Sequence, residues 1–329
     1  MMASMYTENR PARSEFVPLR GLDYHVRLWP GTAHDAQLQL QLQLQPQPQP
    51  QPQPPLVLLH GWMDVGASYQ FMVDAFSDGF MAGRTVIAPD WRGFGQTRPR
   101  HAASAPDHYG FADYLADLDF LLDHCAPGQA VDLVGHSMGG NIAMLYAGVR
   151  PARIRRLVNL EGFGLPASQP DQAPSRYAQW MDQLKSLQRG DLALKTYASR
   201  DAVARRLMKT NPRLTTDKAH WLAGHWAQPD ASGQWRILGE AAHKVVSAQL
   251  YRLDETLAIH RCISAPVLAV QASDDSMATW WKGSYTLADY HERLQQVPDA
   301  RTAVIEDAGH MLHHDQPEAL ARLIETFLD

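Results

Sequence analysis

The chain has 329 residues, a net charge of −5 and 45% hydrophobic residues, which suits one large α/β domain carrying an insertion. A mildly acidic chain lacks the basic face that nucleic-acid binding needs, so no nucleic-acid partner is expected. No apolar run reaches the ~18 residues of a membrane span, and the start, "MMASMYTENRPARSEF", has no secretory h-region. Cys125 and Cys262 form neither a disulfide framework nor a CxxC pair, and two free thiols fit a cytoplasmic protein.

In chain order, Glu15–Trp29 reads as two strands turning near Gly21. Residues 37–55, "QLQLQLQLQPQPQPQPQPP", form a low-complexity Gln/Pro-rich insertion, extended where proline removes backbone donors. "LVLLH" (Leu56–His60) is continuously apolar, as a strand buried on both faces must be. The pattern recurs at Arg84–Asp90, Ala130–His136, Ile154–Glu161, Ala265–Ser273 and Arg301–Asp307. Helical periodicity fills the gaps at Tyr69–Phe76, Phe111–Cys125, Met138–Arg150, Ser284–Val297 and Pro317–Leu328. Alternating buried strands and helices predict a mostly parallel, doubly wound α/β sheet with helices on both faces. The alternation stops for about a hundred residues between Glu161 and Cys262, where a helical, tryptophan-rich stretch reads as an inserted cap. The expected division is a core of 13–161 and 263–329 with a helical cap at 162–262.

Gly135-His136-Ser137-Met138-Gly139 fits G-x-S-x-G between a strand and a helix. Such a strand–turn–helix elbow strains the serine backbone and presses neighbouring chain close, so glycine is required at the flanks. It also exposes the hydroxyl at a helix N-terminus. A serine nucleophile needs a base, and His310 in "IEDAGHMLHHDQPE" follows an apolar strand and a glycine, at the same sheet edge. His313 and His314 read as helix-start residues; no metal site and no cofactor are expected. The base needs a carboxylate to hold its tautomer. Asp274, after the "PVLAVQAS" strand, is favoured; Glu161 in "NLEGFG" and the neighbouring Asp275 are the alternatives. The oxyanion needs two main-chain N–H donors, assigned to Met138 and to Trp62 in "HGWMD".

The segments "LVLLHGW", "APDWRGFGQT", "DLVGHSMGGNIAMLYA", "RPARIRRLVNLEG", "APVLAVQASDD" and "IEDAGHMLHHDQPEAL" together resemble a capped serine hydrolase of the α/β-hydrolase superfamily, in the family's order. The resemblance implies Ser137 as nucleophile, His310 as base and Asp274 as the usual acid, although some members place the acid one strand earlier, where Glu161 stands. Gln271 stands where the family often has glycine. Haloalkane dehalogenases and epoxide hydrolases of this fold carry aspartate at the elbow, which Ser137 argues against. "DWRGFGQT" resembles the loop after the fourth strand, where Asp90 and Arg92 are expected to tie the loop. The expected function is cofactor-independent cleavage of a carboxylic ester through an acyl-enzyme, a carboxylesterase acting on a small, mostly apolar acyl substrate. The alternatives are an acyltransferase, a carbon–carbon bond hydrolase, or a non-catalytic ligand-binding protein of this fold. Phe163, Trp180, Trp221, Trp226 and Trp280 are candidates for a pocket between cap and core.

Overall fold

A computed structural model describes residues 5–31, 52–101 and 106–329. Most of the Gln/Pro-rich insertion, residues 37–51, lies outside the described residues.

The chain opens with a hairpin, β1 (Arg13–Leu19) and β2 (Leu22–Trp29), paired antiparallel. Its turn is Arg20-Gly21, both at positive φ, a conformation that glycine adopts without steric cost. There follow β3 (Leu56–Leu59), β4 (Val86–Pro89), the two-residue β5 (Arg98–Pro99), α1 (Phe111–Cys125), β6 (Val131–His136), α2 (Met138–Val149) and β7 (Ile154–Leu160). After an insertion come β11 (Val267–Ala272), α7 (Ser276–Trp281), α8 (Leu287–Leu294), β12 (Ala300–Ile305) and α9 (Pro317–Leu328). The insertion holds α3 (Ala173–Gln188), β8 (Thr196–Tyr197), α4 (Arg200–Thr210), α5 (Thr216–Trp226), β9 (Ala227–Pro229), β10 (Trp235–Ile237) and α6 (Leu253–His260).

Among the described residues the main sheet has nine strands, ordered β1-β2-β4-β3-β6-β7-β11-β12, with β5 paired to β2 off this path. From β4 to β12 every pairing is parallel. The continuous apolar strands follow from the two-residue period of a sheet buried on both faces. Val57 and Leu59 face a core shared with Leu118 and Leu122 of α1 and Ile142 of α2. Leu56 and Leu58 face the opposite core, with Leu320 and Ile324 of α9. Each such fully buried side chain stabilises the fold by about 1.5–3 kcal/mol relative to an exposed one.

Two features depart from the sequence reading. The insertion is not wholly helical, since β8, β10 and β9 form a small antiparallel sheet. These strands are two or three residues long, too short for a period-two pattern to register. In addition α6, within the span read as cap, packs on α2: a Cβ on Gly148 would overlap the Ile259 carbonyl.

Asp132 of β6 is wholly buried, yet accepts from Arg84 Nη1 at 2.7 Å and from Arg155 Nε and Nη2 at 2.7 and 2.6 Å. Both guanidinium groups lose their counter-ion if the carboxylate is removed, and Arg84 is itself buried. Asp132→Ala is expected to lower unfolding free energy by about 3–5 kcal/mol, read from denaturant melts against wild type.

Candidate active site

Three loops meet at the C-terminal ends of β3, β6 and β7, with the β12–α9 connection beside them. Each needs a backbone that ordinary residues avoid. Met63, Ser137, Glu161 and Asp307 all have positive φ, at 55°, 53°, 54° and 51°. Positive φ at non-glycine residues costs free energy, and its concentration here marks a functional site.

The Ser137 turn is held by close packing. A Cβ at Gly135 would overlap the Gly139 carbonyl, and one at Gly139 would overlap the Leu59 carbonyl. The missing side chains bring α2 against β3 and β6. Ser137 N donates to Leu160 O at 2.8 Å, fixing the turn to β7. A Cβ at Gly61 would lie 3.2 Å from Ser137 Cβ, so the "HGW" loop passes against the serine. That loop is braced by His60, whose Nδ1 donates to Gly61 O at 2.8 Å while its Nε2 accepts from Trp91 N at 2.9 Å.

His310 meets a carboxylate, and it is Glu161. His310 Nδ1 lies 3.0 Å from Glu161 Oε2. The glutamate is 3% exposed, and it also accepts from Ala272 N at 2.8 Å and Ser276 Oγ at 3.0 Å. The favoured Asp274 is engaged elsewhere: it pairs with Arg213 Nη1 at 2.7 Å and its side chain is half exposed. Asp275 caps α7 by accepting from Ala278 N at 2.9 Å. The contact to His310 thus falls on the alternative carboxylate, Glu161, and not on the favoured Asp274. Glu161 takes φ 54° at the end of β7 and is held by Ala272 and Ser276, while Asp274 pairs with a cation from the insertion. Asp274 with Arg213, and Asp315 with Asn211 Nδ2 at 2.7 Å, tie the insertion to the segments that follow β11 and β12.

Burial dominates the protonation of this pair. It pushes the Glu161 carboxyl up to about 7, opposed by the hydrogen bonds from Ala272 and Ser276. It pushes the His310 imidazole down to about 4. Buried surroundings thus favour the uncharged form of each.

Ser137 and His310 line one cavity of about 80 Å³, together with Gly61, Trp62, Met63, Asp64, His136, Trp226 and Met311. Among the described residues no hydrogen bond joins the serine hydroxyl to the imidazole; such bonds tighten when substrate binds. Of the five aromatic pocket candidates, Trp226 lines this cavity. Trp280 stands edge-on to His310, ring centroids 4.4 Å apart. Trp221 packs with Tyr6 and Phe71 in a separate apolar cluster, and Phe163 packs on Tyr290 in the main core. Trp180 stands edge-on to His108. Met63, Asp64, His136 and Met311 lack a distinctive signal of their own, but each adjoins a motif residue in sequence. Asp90 and Arg92 tie their loop as expected: Asp90 accepts from Gly66 N at 2.7 Å and Gln96 N at 2.9 Å, and Arg92 clasps Asp117.

The model of the alpha/beta hydrolase fold family matches residues 54–317. The chain belongs to that family. It is 24% identical over 282 residues to a serine hydrolase-like protein of Danio rerio, covering 83% of this chain and 81% of that one. It is 36% identical over 114 residues to a 2-hydroxy-6-oxo-2,4-heptadienoate hydrolase of Pseudomonas putida, a match to 34% of this chain and 38% of that protein. Among solved structures, the thioesterase domain from the curacin biosynthetic pathway superposes with a TM-score of 0.74 at 21% identity, over 95% of this chain and 99% of that one. The Mycobacterium tuberculosis esterase Rv0045c superposes with a TM-score of 0.63 at 22% identity, over 98% and 93%. These structural likenesses establish the fold. No helix among the described residues is long and apolar enough to cross a membrane.

The close packing at the elbow yields a stability test. Gly139→Ala forces α2 away from the Leu59 carbonyl, and overpacking of this kind costs about 1–3 kcal/mol. The expected outcome is a lower denaturation midpoint, with no such loss at Gly79→Ala, where the nearest atom to an added Cβ is Ser77 Oγ at 4.0 Å.

Proposed function

We propose that the protein is a serine hydrolase that cleaves a carboxylic ester through an acyl-enzyme, with Ser137 as nucleophile, His310 as base and Glu161 as the orienting acid. The observation that carries the reading is the 3.0 Å contact of His310 Nδ1 with buried Glu161, beside the cavity that Ser137 also lines. With Nδ1–H donated to the glutamate, the imidazole presents the Nε2 lone pair towards the cavity.

His310 Nε2 takes the hydroxyl proton as Ser137 Oγ bonds to the ester carbonyl carbon. The negative charge passes to the carbonyl oxygen, held by the N–H groups of Trp62 and Met138. As the tetrahedral species collapses, the carbon–alkoxide bond breaks and His310 returns the proton to the departing alcohol. Water then repeats the sequence and frees the acid and the serine. One oxyanion donor is worth about 10²–10³-fold in rate. Residues 162–262 act as the cap, with Trp226 closing the cavity above the serine. Trp62, Met63, Trp226 and Met311 give the cavity an apolar wall, suited to a short acyl group. The partial likeness to a carbon–carbon bond hydrolase favours one second reading, in which the same serine attacks a ketone carbonyl.

Hydrolysis rates of acyl esters of graded length test the reading, with a vinylogous diketone as the carbon–carbon control. Short esters are expected to turn over fastest; turnover of the diketone alone would favour the second reading. Glu161→Gln is expected to cost up to about 10⁴-fold in kcat, as a mis-set tautomer does, and Asp274→Asn far less. The reverse order would restore Asp274 as the acid.

The rate is also expected to fall on acidification. Protonated Glu161 carries no charge to stabilise the imidazolium, and protonated His310 has no Nε2 lone pair. Because burial raises the carboxyl to about 7 and lowers the imidazole to about 4, carboxyl protonation comes first as pH falls. The acid limb of kcat/KM should therefore lie near 7 and move in Glu161→Gln, whereas an acid limb unchanged by that substitution would contradict the assignment.

A further inference from the structure

A second cluster of polar side chains adjoins the serine turn, and the mechanism above leaves it unused. It gathers residues from three motifs: Asp64 from "HGWMD", His136 from "GHSMG" and His313 from "HMLHH". All three are buried, at 4%, 2% and 0% exposure, and one ligand atom from each lies within 4.8 Å of the others. We propose that Asp64, His136 and His313 form a binding site for a divalent transition-metal ion of the Zn²⁺ class.

The hydrogen bonds around the cluster leave one coordinating atom free on each side chain. Asp64 Oδ1 accepts from Val65 N and Trp226 Nε1, both at 2.9 Å, and from the Ser68 hydroxyl. Asp64 Oδ2 is buried with no partner among the described residues. His136 Nε2 lies 2.7 Å from the main-chain oxygen of His310. A carbonyl only accepts, so Nε2 carries the proton and Nδ1 carries a lone pair; that Nδ1 is also buried and unpartnered. Neither ring nitrogen of His313 has a hydrogen-bond partner among the described residues, and Nε2 stands 4.0 Å from Asp64 Oδ2. Asp64 Oδ2 and the His136 Nδ1 lone pair thus lie buried without a partner among the described residues, and the one N–H of neutral His313 does not reach the carboxylate, since Nε2 stands 4.0 Å away; such acceptors are costly to bury unless a cation or a closer donor fills the space.

The donor set selects the ion. Two imidazoles and one carboxylate suit Zn²⁺ and its neighbours, whereas Mg²⁺ and Ca²⁺ prefer all-oxygen cages. The outer contacts have the form that metal sites use: the ligand histidine donates its other N–H to a main-chain carbonyl, and the ligand carboxylate is fixed through its second oxygen. Tetrahedral bonds of about 2.0–2.1 Å set ligand separations of about 3.3 Å, so the three side chains close inwards by roughly an ångström on binding. Asp64 and His136 also line the cavity of Ser137, which supplies the entry path and leaves the fourth position facing it.

The site touches the base. The rings of His136 and His310 lie 4.6 Å apart, and His136 holds the His310 backbone. A divalent charge there opposes formation of the His310 imidazolium, so the ion acts as an inhibitor. That coupling rests on the function proposed above; binding does not.

The test uses the full chain freed of metal by chelator. Zn²⁺ is titrated by calorimetry, and Co²⁺ loading is followed by its visible d–d absorption. One equivalent is expected to bind at micromolar concentration or tighter, with the intense absorption of low-coordinate Co²⁺. His313→Leu and Asp64→Asn each remove a direct ligand and should weaken binding by at least the roughly 10–100-fold that loss of an outer-shell partner costs. Asp64→Asn keeps an oxygen for the three donors on Oδ1 and serves if the leucine variant fails to fold. No stoichiometric binding, or equal binding in both variants, overturns the site; a water donating to Asp64 and His136 then fills the space. In wild type, one equivalent should lower ester hydrolysis at least about tenfold, reversed by chelator. Binding without inhibition overturns the coupling.

Discussion

The structure depends on a contact between backbones. Helix α2 can start at Ser137 only because Gly135 and Gly139 carry no side chains where β3, β6 and the helix converge. That convergence imposes φ 53° on the serine, lifts its hydroxyl clear of the sheet and brings the "HGW" loop against it. The sheet order places β7 next to β6 and β11 next to β7, so the ends of neighbouring strands supply the other groups. Buried apolar strands give the rigidity that keeps the left-handed Met63 and Ser137 in place at the cavity and Glu161 in place beside it.

The strand-end carboxylates divide the work. Glu161 is withdrawn from solvent and aimed at His310, while Asp274 faces outward and grips Arg213. A carboxylate buried this deeply resists ionisation, and its hydrogen bonds from Ala272 and Ser276 only partly offset that cost. The geometry puts a reluctant acid where the imidazole needs an acceptor, and makes the outer aspartate part of the tie between insertion and core.

Much of this was legible in the sequence. The G-x-S-x-G glycines announce a tight elbow because no other residue fits it, and the continuous apolar runs announce a sheet covered on both faces. α1 and α9 begin and end where the periodicity places them. The choice between Asp274 and Glu161 was not legible, because both follow apolar strands and the decision rests on the backbone angle at Glu161 and on a cation 61 residues away from Asp274. Trp221 and Phe163 looked like pocket residues for a related reason: an aromatic side chain carries no mark of which side of a layer it faces. The cluster of Asp64, His136 and His313 was hidden because its members lie in three separate motifs whose convergence is a property of the fold.

The account stands on an activated serine at the elbow. Treatment with a fluorophosphonate ester, followed by mass spectrometry of the digested protein, reads that property directly. One adduct is expected, on Ser137, forming quickly in wild type, absent in Ser137→Ala and strongly slowed in His310→Ala. Folded protein that takes up no label, or label that persists at an undiminished rate without Ser137, would contradict it.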